Sequence, residues 1–180
     1  QAGGAQVAVI AMQGWFQRIL TMSGFENRQN IVMLEWQYQP QAWSDVPSVH
    51  IRRMTEVDLS EVQHVDADAF APLWQNSLET LRRAFGQSVL ATVAEVEGRI
   101  VGYQLSTGGG QRAHLARLAV RPELQGHGIG RTLVHDLFAQ LVQNGVYKVS
   151  VNTQSDNATS LRLYQRLGFV RTGEQYPVYL

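Results

Sequence analysis

Apolar residues recur along this chain in two rhythms, and the changes between them mark its elements. Residues 49–54 read as a strand, and Thr55 followed by Asp58 is a capping-box variant that opens a helix to about Ala69. The run Phe70-Ala71-Pro72-Leu73-Trp74 breaks that helix. A second helix is expected with Leu73, Trp74, Leu78, Leu81 and Phe85 at roughly helical spacing and Gly86 as its stop. Residues 89–96 and 100–105 are rich in β-branched side chains and flank Glu97-Gly98-Arg99, the pattern of a hairpin. Gly108-Gly109-Gly110 turns the chain into a further strand at about 113–120, which Pro122 ends. Ile129, Leu133, Val134, Leu137, Phe138, Leu141 and Val142 then repeat with the period of a one-faced helix resting on a sheet. A strand at 145–153, a helix capped by Asp156 or Asn157 and running to Leu167, and two short strands within 168–180 complete the chain. The order β-α-α-β-β-β-α-β-α-β-β predicts an α/β (α+β) fold with a mixed, mostly antiparallel sheet.

The first 47 residues add an internal echo. Aligning Gly24-Phe25 on Gly168-Phe169 superposes two segments with one plan: strand, helix, Gly-Phe, strand. Arg18 falls on Arg162, and Leu20 stands where the second segment has Tyr164. Residues 39–48 have the Pro and Ser content of a linker. The division expected is therefore 1–47 for the echo and linker and 48–180 for the main domain.

Composition narrows the chemistry. Fifteen Lys and Arg balance fifteen Asp and Glu in 180 residues, so no global positive field holds a nucleic acid or an anionic membrane, and any anion site has to be local. The chain has no cysteine, which removes disulfides and thiolate nucleophiles and fits a reducing, cytoplasmic setting. Its five histidines show no metal-ligand spacing, and no metal is expected. No run of about 18 apolar residues exists to span a membrane, and the start lacks the basic region of a secretory signal. A chain beginning with Gln1 reads as a processed or truncated product.

The candidate chemistry lies between the predicted strand at 113–120 and the long helix. Gly126, Gly128 and Gly130 alternate at a helix start where Ser, Asp or Asn would cap more favourably. Bare amides at a helix N-terminus, reached without a Cβ in the way, form an anion site. A P-loop is excluded because no Gly-Lys-Ser/Thr follows, and a dinucleotide fold because Arg131 stands at the place of its third glycine. The ligand expected is a phosphate-bearing cofactor of another kind.

Gln125-Gly126-His127-Gly128-Ile129-Gly130, with Arg117-Leu118-Ala119-Val120 before it, resembles the signature of the GNAT superfamily of acetyl-CoA-dependent N-acetyltransferases. Downstream, a helix opened by Asn157, carrying Tyr164 and closed by Gly168-Phe169 is similar to a second family motif. The resemblance extends over residues 49–180 in the right order of elements. It implies the acyl-CoA N-acyltransferase fold, with helices on both faces of the sheet, and acetyl-CoA (coenzyme A) as cofactor.

The resemblance also implies roles. The coenzyme A pyrophosphate would lie on Gln125, Gly126, His127, Gly128, Ile129, Gly130 and Arg131, and the pantetheine arm along the backbone of Leu118, Ala119 and Val120. The Val120 amide would be the oxyanion donor, Tyr164 the general acid, and Asn157 would hold the pantetheine or the helix start. For the general base, the strand at 113–120 has no carboxylate. His114 stands near that position, with a water relay as the rival. Phe70, Trp74, Tyr176 and Tyr179 fall in segments that line the family's acceptor side.

The expectation is thus an N-acetyltransferase acting by direct attack of a small-molecule or peptide amine, the alternative being an acyl-CoA-binding or sensing module without turnover. On the same resemblance, residues 1–47 read as the tail of a degenerate second copy lacking the glycine loop and the tyrosine. Its strands, near 7–10 and 31–36, are expected to dock on the main sheet or on a second chain as a homodimer.

Overall fold

The computed structural model describes residues 7–39 and 49–180. Most of the expected linker at 39–48 therefore lies outside the described residues. The chain divides into two compact units, residues 36–150 and residues 1–35 with 151–180.

In the unit of residues 36–150, β3 (His50–Arg53), β4 (Leu90–Val96), β5 (Arg99–Gly109) and β6 (Arg112–Val120) are neighbours in that order, each antiparallel to the next. Helices α2 (Leu59–Ala69) and α3 (Leu78–Gly86) cover one face and α4 (Ile129–Gln143) the other. The alternation of a strand makes this two-sided. Val93 packs with Leu59, Val62 and Leu81, while its neighbour Ala94 packs with Ile129 and Leu133. This is the mixed, mostly antiparallel α/β architecture that the chain's periodicity predicts.

The start of α2 follows the expected capping chemistry. The Asp58 carboxylate accepts the Thr55 amide at 2.7 Å and the Thr55 hydroxyl at 2.8 Å, and a single 3-10 turn, Glu56–Asp58, leads into the helix. The second helix differs from expectation. Leu73 and Trp74 lie in a separate 3-10 turn, Pro72–Trp74, and α3 begins only after Ser77, whose hydroxyl accepts the Thr80 amide at 3.2 Å. Pro72 fits the first position of its own short turn, and Ser77 is the stronger N-cap.

In the other unit, β1 (Val9–Ile10), β8 (Val170–Tyr179) and β2 (Asn27–Gln37) lie side by side, and β2 is followed by β7 (Lys148–Gln154), which ends in this unit. Both β1 and β2 pair with β8 antiparallel, so the strands of the N-terminal segment dock on this chain's own C-terminal strand. The two short final strands expected are one strand. Gly173, at φ +90°, and Pro177 do not interrupt it, because β8 has a neighbour on each edge and Pro177 still accepts the Ala11 amide through its carbonyl at 3.1 Å.

The two echoing segments share their helix ends. Helix α1 (Gly14–Met22) closes with Gly24 at φ +84°, and the Phe25 amide donates to the Leu20 carbonyl at 3.0 Å. Helix α5 (Ala158–Arg166) closes with Gly168 at φ +86°, and Phe169 donates to Tyr164 at 2.9 Å. Only glycine takes this left-handed turn at little cost. Leu20 and Tyr164 are both buried.

Candidate active site

The glycine loop is held at its base by its own first residue. After the 3-10 turn Pro122–Leu124, the Gln125 side chain donates to the Val120 carbonyl at 3.0 Å, tying the loop back to the end of β6. Gly126 and Gly128 take φ of +84° and +88°, and Gly128 is the N-cap of α4 with no side-chain cap. Thr132 closes the first helical bond to Gly128 at 3.0 Å. Among the described residues no protein acceptor takes the backbone amides of Gly126, His127, Gly128, Ile129, Gly130 or Arg131. A Cβ built at Gly126 meets nothing within 4 Å. Together these give unclaimed donors, the positive end of a fifteen-residue helix and open approach to the backbone, the physical requirements for seating a phosphate. The His127 ring is exposed and bonds through Nδ1 to the Gln125 carbonyl at 3.1 Å.

Strand β6 presents its backbone in a defined direction. The Arg121 amide donates to Val101 at 2.9 Å while Val120 pairs with Gly102, so Val120 and, two residues back, Leu118 are non-hydrogen-bonded partners of β5. Their amides and carbonyls therefore point away from β5. Ala119 faces α2 and is buried.

One feature of β6 was not visible in the sequence. Leu105 pairs with Arg117 but Ser106 pairs with Leu115, which makes Ala116 an extra residue, a β-bulge. Directly paired residues share a face, and Tyr103, Leu105 and Thr107 lie on the α2 face of β5. Their partners Ala119, Arg117 and His114 therefore share that face too. Without the bulge, His114 and Arg117 would point to opposite sides. His114 is partly buried, and its Nδ1 lies 2.9 Å from Ser150 Oγ on β7. Ser150 Oγ also lies 3.4 Å from the Ala113 carbonyl, so the hydroxyl bridges the His114 ring and the backbone of β6. Ser150 is a partner that local spacing could not indicate.

Asn157 and Tyr164 belong to the other unit, that of residues 151–180. Asn157 Oδ1 accepts the Ser160 amide at 3.0 Å and caps α5. Tyr164 packs edge-on against Phe169 at 5.4 Å between ring centroids, and burial raises its hydroxyl well above the ordinary tyrosine range. It stays protonated at any physiological pH, as a proton donor requires. Of the other aromatics, Tyr179 is buried, Tyr176 donates to Glu174 at 3.3 Å, Phe70 lies under the Arg117 guanidinium and the Trp74 carbonyl accepts from Arg117.

Among the described residues no group of His, Asp or Glu is arranged to hold a metal, and no helix is long and apolar enough to cross a membrane. Fold and loop together define the class, an α/β protein with an anion-competent helix start behind a bulged strand. The chain belongs to the acetyltransferase (GNAT) family, whose model matches residues 54–169.

Solved structures carry the same fold. A GCN5-related N-acetyltransferase from Sphaerobacter thermophilus matches 97% of this chain at 20% identity with a TM-score of 0.76, and the chain spans 59% of that protein's length. The ribosomal-protein-S18-alanine N-acetyltransferase of Escherichia coli matches 73% of this chain and 91% of its own, at 23% identity and a TM-score of 0.66. A PaiA N-acetyltransferase from Thermoplasma acidophilum, solved with coenzyme A, matches 73% of this chain and 98% of its own, at 18% identity and a TM-score of 0.64.

Proposed function

We propose that the chain is an acetyl-CoA-dependent N-acetyltransferase acting on a primary amine by direct attack, with no covalent enzyme intermediate. The observation that carries this reading is the row of unclaimed amides from Gly126 to Arg131 at the start of α4, in a chain of the acetyltransferase family. In this reading residues 125–131 hold the pyrophosphate. The backbone amides of Leu118 and Val120, which point away from β5, take the pantetheine arm. Asn157 fixes the start of the helix that carries Tyr164.

His114, directly or through a water, takes the proton that the substrate nitrogen gives up. The nitrogen bonds to the thioester carbon and the carbon–sulfur bond breaks. The Val120 amide donates to the oxygen on which negative charge develops, and the Tyr164 hydroxyl gives its proton to the departing sulfur. In the same reading residues 1–47 are the tail of a degenerate second copy and 48–180 the acetyltransferase domain. The matched glycine ends of α1 and α5, with Leu20 in the place of Tyr164, support this.

The test combines binding with turnover. Acetyl-CoA at about 100 times its dissociation constant should stabilise the fold by roughly 2.7 kcal/mol, seen as a raised melting temperature. An amine panel should then release free thiol from it. Gly128→Val should weaken acetyl-CoA binding, since a side chain there obstructs the approach of phosphate and strains the left-handed turn. No thermal shift at saturating concentration would remove the cofactor assignment. A shift without thiol release on any amine would replace the enzyme by a sensing module.

A further inference from the structure

Helix α2 carries three carboxylates, and each is paired with an arginine of β6 or the residue after it. Arg121 binds both Glu61 and Asp68. Arg117 binds Asp66 in a fork, Nε to Oδ2 at 2.7 Å and Nη2 to Oδ1 at 2.9 Å. Asp66 is fully buried, and its remaining capacity is taken by the Tyr103 hydroxyl and by the Asn76 amide at 2.7 Å.

The same pair fixes the segment that follows α2. Arg117 Nη2 donates to the Trp74 carbonyl at 2.7 Å, and its guanidinium lies 3.5 Å above the centre of the Phe70 ring. The Gln75 side chain adds bonds to the Ala67 and Phe70 carbonyls, both at 2.9 Å. Residues 70–76 are thereby a fixed, partly apolar wall rather than a loose connection.

The bulge at Ala116 places His114 on the sheet face that carries Arg117 and this wall. An amine that delivers its proton to His114 meets that face. There it finds half-buried Phe70 and Trp74, a guanidinium already neutralised and α2 carboxylates already engaged. A second ammonium would have to compete with an arginine for every one of those carboxylates.

Resting on the acyltransferase reading above, we propose that this wall selects acceptors bearing a single amine on an apolar or aromatic body over polycationic amines, with Asp66 and Arg117 as positioning residues. Arg117 gives no charge to the reaction. Its planar fork holds Asp66, Trp74 and Phe70 together, a geometry that a lysine ammonium does not reproduce.

The full chain would be assayed with acetyl-CoA and phenethylamine, spermidine or kanamycin by thiol release. Phenethylamine should show kcat/KM at least roughly tenfold above the two polycations, the scale of discrimination by an apolar surface. Arg117→Lys should raise the KM for phenethylamine about tenfold with kcat and acetyl-CoA affinity near the parent's, the signature of lost acceptor positioning. If that variant does not fold, Trp74→Ala should give the same split.

Equal or faster turnover of spermidine or kanamycin overturns the acceptor inference while leaving the acyltransferase reading intact. An unchanged KM in the variants does the same for the positioning role. Binding of acetyl-CoA without turnover of any of the three amines overturns the acceptor inference alone, and failure to bind acetyl-CoA overturns it together with the reading on which it rests.

Discussion

Tyr164 packs through its ring, and the contact with Phe169 and the burial of the ring survive removal of one oxygen atom. Tyr164→Phe should therefore keep the fold and hold acetyl-CoA affinity within about twofold, while kcat falls by roughly 10²-fold or more, the usual contribution of a positioned proton donor. Single-turnover kinetics beside calorimetric binding checks the split, and unchanged chemistry would return Tyr164 to a packing role. This residue is legible in the sequence because its signal is local, four residues before Gly168 on a capped helix. Asn157 and the glycines of the loop are legible for the same reason. Ser150 and the Asp66–Arg117 pair are not. Their partners stand 36 and 51 positions away, and no spacing rule encodes which arginine a buried aspartate will meet once the strands align.

At the scale of elements, the start of α2 ties a strand to a helix through one carboxylate. Arg52 on β3 binds Asp58 at 2.8 and 2.9 Å, and with the Thr55 bonds it holds the Asp58 carboxyl at about 2, below its ordinary 3.8. A carboxylate depressed by folding stabilises fully above its unfolded value and loses that contribution as pH falls through its folded one. The window is thus pH 4 to 2, and the loss about 2 kcal/mol. Thermal melts across that window should fall more steeply for the parent than for Asp58→Asn, and parallel curves would contradict the assignment. The element pattern itself was largely readable from periodicity, including α4, the hairpin and the capping box. The bulge at Ala116 was not, because it is defined by how two strands register and carries no glycine. The continuity of β8 was hidden for a related reason. Gly173 and Pro177 weaken a strand considered alone, and neighbours on both edges restore it.

In the molecule as a whole, the N-terminal segment is not an appendage. In the order β1-β8-β2-β7, the last strand of each strand–helix–strand segment lies between the two strands of the other. Removing residues 1–47 takes away both neighbours of β8 at once. The shortened chain should aggregate, or melt well below the parent, as read by size-exclusion chromatography and thermal unfolding. A soluble product with the parent's melting temperature would show that β8 finds its place without them.

The interleaving also sets a timetable for synthesis. Strand β2 is finished at Gln37, yet β8, its neighbour on one edge, ends only at Tyr179. At about 5–20 residues per second, roughly 7–30 s pass on the ribosome between the two. Throughout that interval Ile31, Val32, Leu34 and Trp36, all buried in the finished fold, wait on a strand with an open edge. That apolar face of β2 therefore stays unpaired on one edge until residues 170–179 have been made.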